Sequence, residues 1–333
     1  MVSKMISDPI HAINERITII DGPSGDGGER NRGYLLGKNS FAIINTGRRG
    51  SIETTFLEAI HNKGKDAKDV KYIFITHPYP DVMGGVYKLK KIFPNAQVAI
   101  NEKCKPLMED PKNLIKETNF KFSRKEKLYF AVKKDPFDDL DTFKPDIYFK
   151  DGDKFTVDDT KVMVINFDGI CKGHSMFFAT AERAMFTGDA LNMYPALPNS
   201  YLIDYSGSYK IWLKNIEFLE KADISIICPA HDNYQDDRHV IHYITDVKES
   251  FHQFENQLEM VFTEQKYLTM NQLIERVHNS QGIVWYHPFL LLAPRANMTA
   301  HLNKLIDENK VQKNEKSDPV TYTYIAPKDD NFF

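Results

Sequence analysis

An apolar run at residues 70–75 stops at a polar decapeptide, Thr76-His77-Pro78-Tyr79-Pro80-Asp81-Val82-Met83-Gly84-Gly85. The run has the length and composition of a buried strand. In layered α/β folds, ligands gather at the carboxyl ends of such strands. An imidazole and a carboxylate four residues apart at a strand end are therefore candidate metal or catalytic groups. Gly84 and Gly85 then allow a tight turn into a helix starting near Val86. Taken alone, a His and an Asp at this spacing is a common pattern, and the preceding strand gives it weight.

Further motifs lie along the chain in a fixed order. Arg32-Gly33-Tyr34-Leu35-Leu36 and Ile43-Ile44-Asn45-Thr46-Gly47 precede the decapeptide. Phe167-Asp168-Gly169-Ile170-Cys171-Lys172-Gly173-His174, Phe186-Thr187-Gly188-Asp189 and Cys228-Pro229-Ala230-His231 follow it. Together the six resemble the metallo-β-lactamase-fold hydrolases, whose central loop reads T-H-x-H-x-D-H-x-G-G. The resemblance covers most of residues 15–240. It implies an αββα four-layer sandwich of class α/β. It also implies a two-metal centre with seven side-chain ligand positions. On this chain three positions are changed: Tyr79, Val82 and Ile170 stand where the family has histidines. His77, Asp81, Asp189 and His231 keep theirs, and Asp189 has the bridging position.

The resemblance thus implies a degenerate site. The half that needs three histidines keeps only His77. The other half keeps Asp81, Asp189 and His231, which with an open fourth position form an acceptable catalytic zinc set. Iron or manganese would suit the same ligands. The expectation is one divalent ion at Asp81, Asp189 and His231, with His77 as base and Tyr79 as a substrate contact or extra ligand. The implied reaction is hydrolysis of an ester, thioester, lactone or phosphodiester; a β-lactam is not specifically indicated. The alternative is a non-catalytic relative that binds no metal and uses the old pocket for a small molecule, protein or RNA. A phenol of pKa about 10 is a poor ligand unless a metal deprotonates it, and valine is none. Asp189 in a Gly-Asp turn has a plain structural reading too, accepting hydrogen bonds from backbone amides.

At 333 residues the chain suits one large domain plus an appendage. We place the first domain at 1–240, with a basic insertion at about 101–140, and a helical, winged-helix-like domain at 241–333. Residues 101–134 hold ten Lys or Arg against five Asp or Glu, with Phe120, Phe122, Tyr129 and Phe130 interleaved. Nucleic acid could use such a patch, but charge runs usually mark solvated faces. The net charge of −3 gives no general attraction to nucleic acid or anionic lipid. Residues 245–333 hold nine basic and twelve acidic residues, which is no nucleic-acid footprint. Three scattered cysteines and no apolar leader point to a reducing cytoplasm. No run reaches membrane-spanning length. The expected partner is a small molecule, with a homo-oligomer allowed.

Helices are expected at 52–64, 240–263, 269–277 and 298–309, and a hairpin from Val311 and residues 320–325. A glycine-rich turn at 21–28 reads as a hairpin or flap, since it lacks a phosphate loop's lysine. Trp285, Tyr286, His287 and Pro288 read as a packing cluster or a cover for the site.

Overall fold

The computed structural model describes residues 8–22, 31–109, 143–192, 203–280 and 292–325. Most of the glycine-rich turn, most of the basic insertion and the cluster at 285–288 lie outside these residues.

Seven strands form the first sheet, in the order β1-β2-β3-β4-β5-β6-β7: Ile10–Ala12, Ile17–Asp21, Arg32–Leu36, Phe41–Ile44, Val70–Phe74, Gln97–Asn101 and Ile147–Phe149. The first four run antiparallel, and β4 to β7 pair in parallel. The second sheet has the order β13-β12-β11-β10-β9-β8. Its strands are β8 Lys154–Val157, β9 Thr160–Asn166, β10 Ser175–Ala179, β11 Ala184–Gly188, β12 Ile226–Pro229 and β13 Gln235–Asp236. Here β11 and β12 are the parallel pair.

Side-chain alternation builds the layers. On β4, Ala42 and Ile44 face the second sheet, where they join Phe177, Phe186 and Val164 in a central core. Phe41 and Ile43 face the other way, toward the helix Glu53–Asn62 (α1) and its Phe56 and Ile60. On β10, Phe177 points into the central core and Met176 out of it. Helices therefore cover both outer faces, the αββα arrangement that the motif order implied.

Two short helices, Pro80–Met83 (α2) and Val86–Ile92 (α3), follow β5. The helix near Val86 is as expected. The turn argument for the two glycines needs correction: Gly84 and Gly85 have ordinary helical backbone angles. They are glycines because of crowding. A Cβ would lie 2.5 Å from the Pro80 carbonyl oxygen at Gly84 and 2.6 Å from that of Thr46 at Gly85. Helix α4 is Lys105–Glu109.

The second outer layer includes Tyr209–Leu219 (α5) and Arg238–Glu264 (α6). After them come β14 (Tyr267–Thr269), α7 (Met270–Ser280), α8 (Leu292–Asp307), β15 (Val311–Asn314) and β16 (Thr321–Tyr324). The expected hairpin is β15–β16, and β14 adds a third strand on the β16 side. Thr269 caps α7, with Gln272 Oε1 accepting from its backbone N–H at 2.9 Å in return. Helix α8 begins several residues earlier than its periodicity indicates. No described helix is long and apolar enough to cross a membrane. Even α6, with 27 residues, is amphipathic.

Candidate metal centre

Two parallel strand pairs, β4–β5 and β11–β12, end at the same edge of the sandwich. His77 follows β5, Asp81 sits in α2, Asp189 follows β11 and His231 follows β12. A backbone hydrogen bond from Ser175 to the Thr76 carbonyl, 2.8 Å, ties the two sheets together here. Gly188 lets the chain turn directly before Asp189. Its φ is +53°, and a Cβ there would meet the Thr76 hydroxyl at 2.7 Å.

His77, Asp81 and Asp189 each offer a ligand atom, and these atoms lie within 4.8 Å of one another. His231 closes the cluster: its Nε2 lies 3.0 Å from Asp81 and 3.3 Å from Asp189. His77 Nε2 lies 3.3 Å from the other Asp189 oxygen. The four residues retained from the two-metal pattern therefore converge. His77 is closer to a ligand role than the sequence reading gave it, because it shares the tight group with both aspartates.

A relay fixes the orientation of His77. Asn45 Oδ1 accepts from the backbone N–H of Thr76 at 3.1 Å and from its hydroxyl at 3.0 Å. The hydroxyl is then left to accept from His77 Nδ1, 3.0 Å away. His77 Nε2 is consequently the atom turned toward the carboxylates. Asn45 serves as the anchor, from a backbone with φ +60°.

Charge in this pocket is balanced within it. Burial opposes the charged form of His231, yet Asp189 and the hydrogen bonds to both carboxylates hold its pKa well above normal. His77 is raised too, Asp189 outweighing burial. Burial alone would raise Asp189, but the facing imidazoles keep it well below the usual carboxylate range. Asp81 is lowered against burial by the hydrogen bond with His231. Two carboxylates and two imidazolium ions thus neutralise one another, as buried charges must.

The same residues fit a divalent cation. His77 Nε2 and Asp189 Oδ1 are buried without a well-aligned hydrogen-bond partner. Two imidazole nitrogens and two carboxylates are a donor set for zinc, iron or manganese. One divalent ion would replace two protons and leave the charge unchanged. His77 is fully buried, whereas the His231 and Asp81 side chains are 15% and 20% exposed. The pocket is therefore reached from the Asp81–His231 side.

His174 lies under His77, ring centroids 5.0 Å apart and nearly parallel. Its Nε2 accepts from the Asp189 backbone N–H at 3.2 Å. Burial, with the His77 charge beside it, lowers its pKa to about 3. It is a neutral support for the centre. Tyr79 meets His77 edge-on, at 5.0 Å between centroids, and its hydroxyl donates to Asp204. The phenol is thus committed to a residue that sequence reasoning did not single out. Val82 and Ile170, at two of the changed positions, are buried apolar side chains. Cys104, Cys171 and Cys228 are free and buried, and burial pushes the Cys104 thiol up to about 12.

A family model described as "Metallo-beta-lactamase superfamily" matches residues 27–231. The chain belongs to the metallo-β-lactamase superfamily. Its fold is shared with a metallo-beta-lactamase family protein from Thermus thermophilus (TM-score 0.70, 19% identity, 94% of this chain and 100% of that one). It is shared as well with a beta-lactamase domain protein from Burkholderia ambifaria (TM-score 0.71, 14% identity, 95% and 94%). Among curated proteins the chain is similar to hydroxyacylglutathione hydrolase of Francisella tularensis subsp. novicida. The two are 30% identical over 162 residues, 49% of this chain and 48% of that relative. The chain thus spans about half the length of the curated relatives it first matches. A Francisella philomiragia hydroxyacylglutathione hydrolase aligns over 71% of this chain and 77% of its own length, at 27% identity. Superfamily members bind divalent metals, typically zinc or iron.

Proposed function

We propose that this superfamily member is a hydrolase working through one divalent ion held by Asp81, Asp189 and His231. The observation that carries the reading is the convergence of His77, Asp81 and Asp189 within 4.8 Å, closed by His231. Among the ester, thioester, lactone and phosphodiester substrates the family pattern implies, we favour an acyl thioester. The similarity to proteins named hydroxyacylglutathione hydrolase supports that choice, since their named substrate is a thioester.

A divalent ion held by Asp81, Asp189 and His231 would supply Lewis acidity toward water and an acyl carbonyl. The protein's own groups do the rest. Asp189 spans both sides of the centre, facing His77 with one oxygen and His231 with the other. Substrate and water approach past the partly exposed Asp81 and His231. His77, its Nδ1 given to Thr76, has Nε2 alone with which to take a proton. His174 holds the backbone of Asp189 without bringing charge.

Metal content and thioester hydrolysis of the wild-type chain, Asp189→Ala and His77→Gln test this reading. We expect one ion per wild-type chain and loss of both metal and turnover in Asp189→Ala. His77→Gln should keep the ion and lose turnover; loss of the ion as well would move His77 into the ligand set. Metal and hydrolysis unchanged in Asp189→Ala would refute the proposal. The second reading is a non-catalytic binding pocket. It is supported by how completely the His231 contacts with Asp81 and Asp189 balance the buried charge without an ion. A folded wild-type chain that takes up no metal would select it.

A further inference from the structure

Asp204 lies in none of the motifs and is 1% exposed. It touches both places from which the three-histidine half of the centre has lost a ligand. Tyr79 donates its hydroxyl to Asp204 Oδ2, and the Asp204 backbone N–H donates to the Ile170 carbonyl at 2.9 Å. Its other oxygen, Oδ1, accepts from the Ser206 backbone at 2.6 Å, the Ser206 hydroxyl at 2.6 Å and the Gly207 backbone at 3.0 Å. These bonds fold residues 203–208 into a tight turn pressed onto Gly169–Ile170. Ser208 N donates to the Gly169 carbonyl at 2.9 Å. A Cβ on Gly207 would lie 2.2 Å from the Ile170 oxygen, so only glycine fits that contact. Helix α8 pins the turn from the other side, Asn297 Oδ1 accepting from Ile203 N at 2.6 Å.

We propose that the Tyr79–Asp204 pair and its turn are a built-in plug, which fills the place of the superfamily's second ion and makes this centre strictly mononuclear. The proposal rests on the metal-dependent reading above and adds to it a cause for the single ion. Three observations converge on it. The turn is fastened to the backbone of one substituted position and to the side chain of the other. Both substituted side chains are buried, and neither is open to solvent as a vacated ligand site would be. With its donors in place, Asp204 has little capacity left to ligate an ion. The plug also accounts for what stands where the two histidines are lost: a phenol, an aliphatic chain and a hydrogen-bonded carboxyl.

Manganese(II) titration of the metal-stripped wild-type chain tests this, with stoichiometry from elemental analysis and nuclearity from electron paramagnetic resonance. We expect one ion per chain and the six-line signal of an isolated ion. Two ions with a spin-coupled signal would overturn the plug while leaving the metal reading intact. No bound ion would overturn the metal reading itself, and the plug with it. Variants give a second arm, each checked for fold by circular dichroism. Tyr79→His/Ile170→His, with Asp204 kept, should still bind one ion. Adding Asp204→Ala should raise this to two with spin coupling. Two ions in the variant that keeps Asp204 would show that the turn blocks nothing.

Discussion

Loading the metal-stripped protein with zinc at pH 6 should release about two protons per ion, one from each clustered histidine. The number follows from the pocket. His77 Nε2 and His231 Nε2 both face carboxylates, which raise their pKa values above the ordinary 6.5. At pH 6 both rings are therefore charged. Asp81 and Asp189 are lowered and already ionised, so they contribute no proton. An ion on His231 displaces that ring's proton, and its double charge, drawing on the Asp189 carboxylate that holds the His77 proton, expels the second. Its apparent affinity then falls about 100-fold for each unit of decreasing pH, or ~1.4 kcal/mol per proton. As pH rises through the folded pKa of His77, the count drops toward about one, because His231 is held higher. Calorimetric titration in buffers of different ionisation enthalpy reads the number directly at pH 6 and pH 8. Binding at pH 6 with no proton release would refute the reasoning, since the imidazoles would then be neutral or outside the ligand set. Release of about one would leave His77 charged beside the ion and unable to act as the base.

Asn45→Ala removes the one oxygen that accepts from both Thr76 donors; it should cost about 1–3 kcal/mol in urea unfolding and lower turnover by freeing the His77 ring. His174 should remain neutral across pH 5–8 in nitrogen-15 imidazole spectra, because burial holds its pKa at about 3. Titration near pH 6.5 would contradict its place beneath His77. Trp212 is fully buried, stacks on Phe251 at 3.9 Å and donates to the Ala190 carbonyl at 3.0 Å. Trp212→Ala should therefore cost ~3–5 kcal/mol in chemical unfolding, and Trp212→Phe much less.

The sequence made the scaffold legible because its signals are local. A buried strand followed by a polar strand end repeats at residues 70–77, 184–189 and 226–231, and each repeat delivers one site residue. Three of the four retained ligand positions were readable for that reason, the fourth, Asp81, following His77 in the same loop, and the structure brings all four together. Asp204 was not readable. Its neighbours Ser206, Gly207 and Ser208 announce a turn and a helix cap, and Ser208 does cap α5. Nothing in them says that the carboxyl meets a tyrosine 125 positions earlier. The Tyr79 bond was unreadable for the same reason: a phenol in a ligand position reads as a substrate contact or an extra ligand, and its distant partner is not visible in sequence. The two adjacent glycines misled differently. They signal a turn in sequence, whereas the requirement is the close approach of the Thr46 and Pro80 backbones.

His77 and Asp81 hang from the first sheet, Asp189 and His231 from the second. A cation held by Asp81 on one side and by Asp189 and His231 on the other would be a clasp across the seam between the two layers, beside the hydrogen bonds that already cross it. Chelation would then loosen one rim of the sandwich while leaving each sheet whole. Amide exchange on stripping the metal should accelerate first at Thr76 and Ser175, whose backbones bridge that rim. The edge that carries the candidate metal centre would thereby double as the latch of the fold.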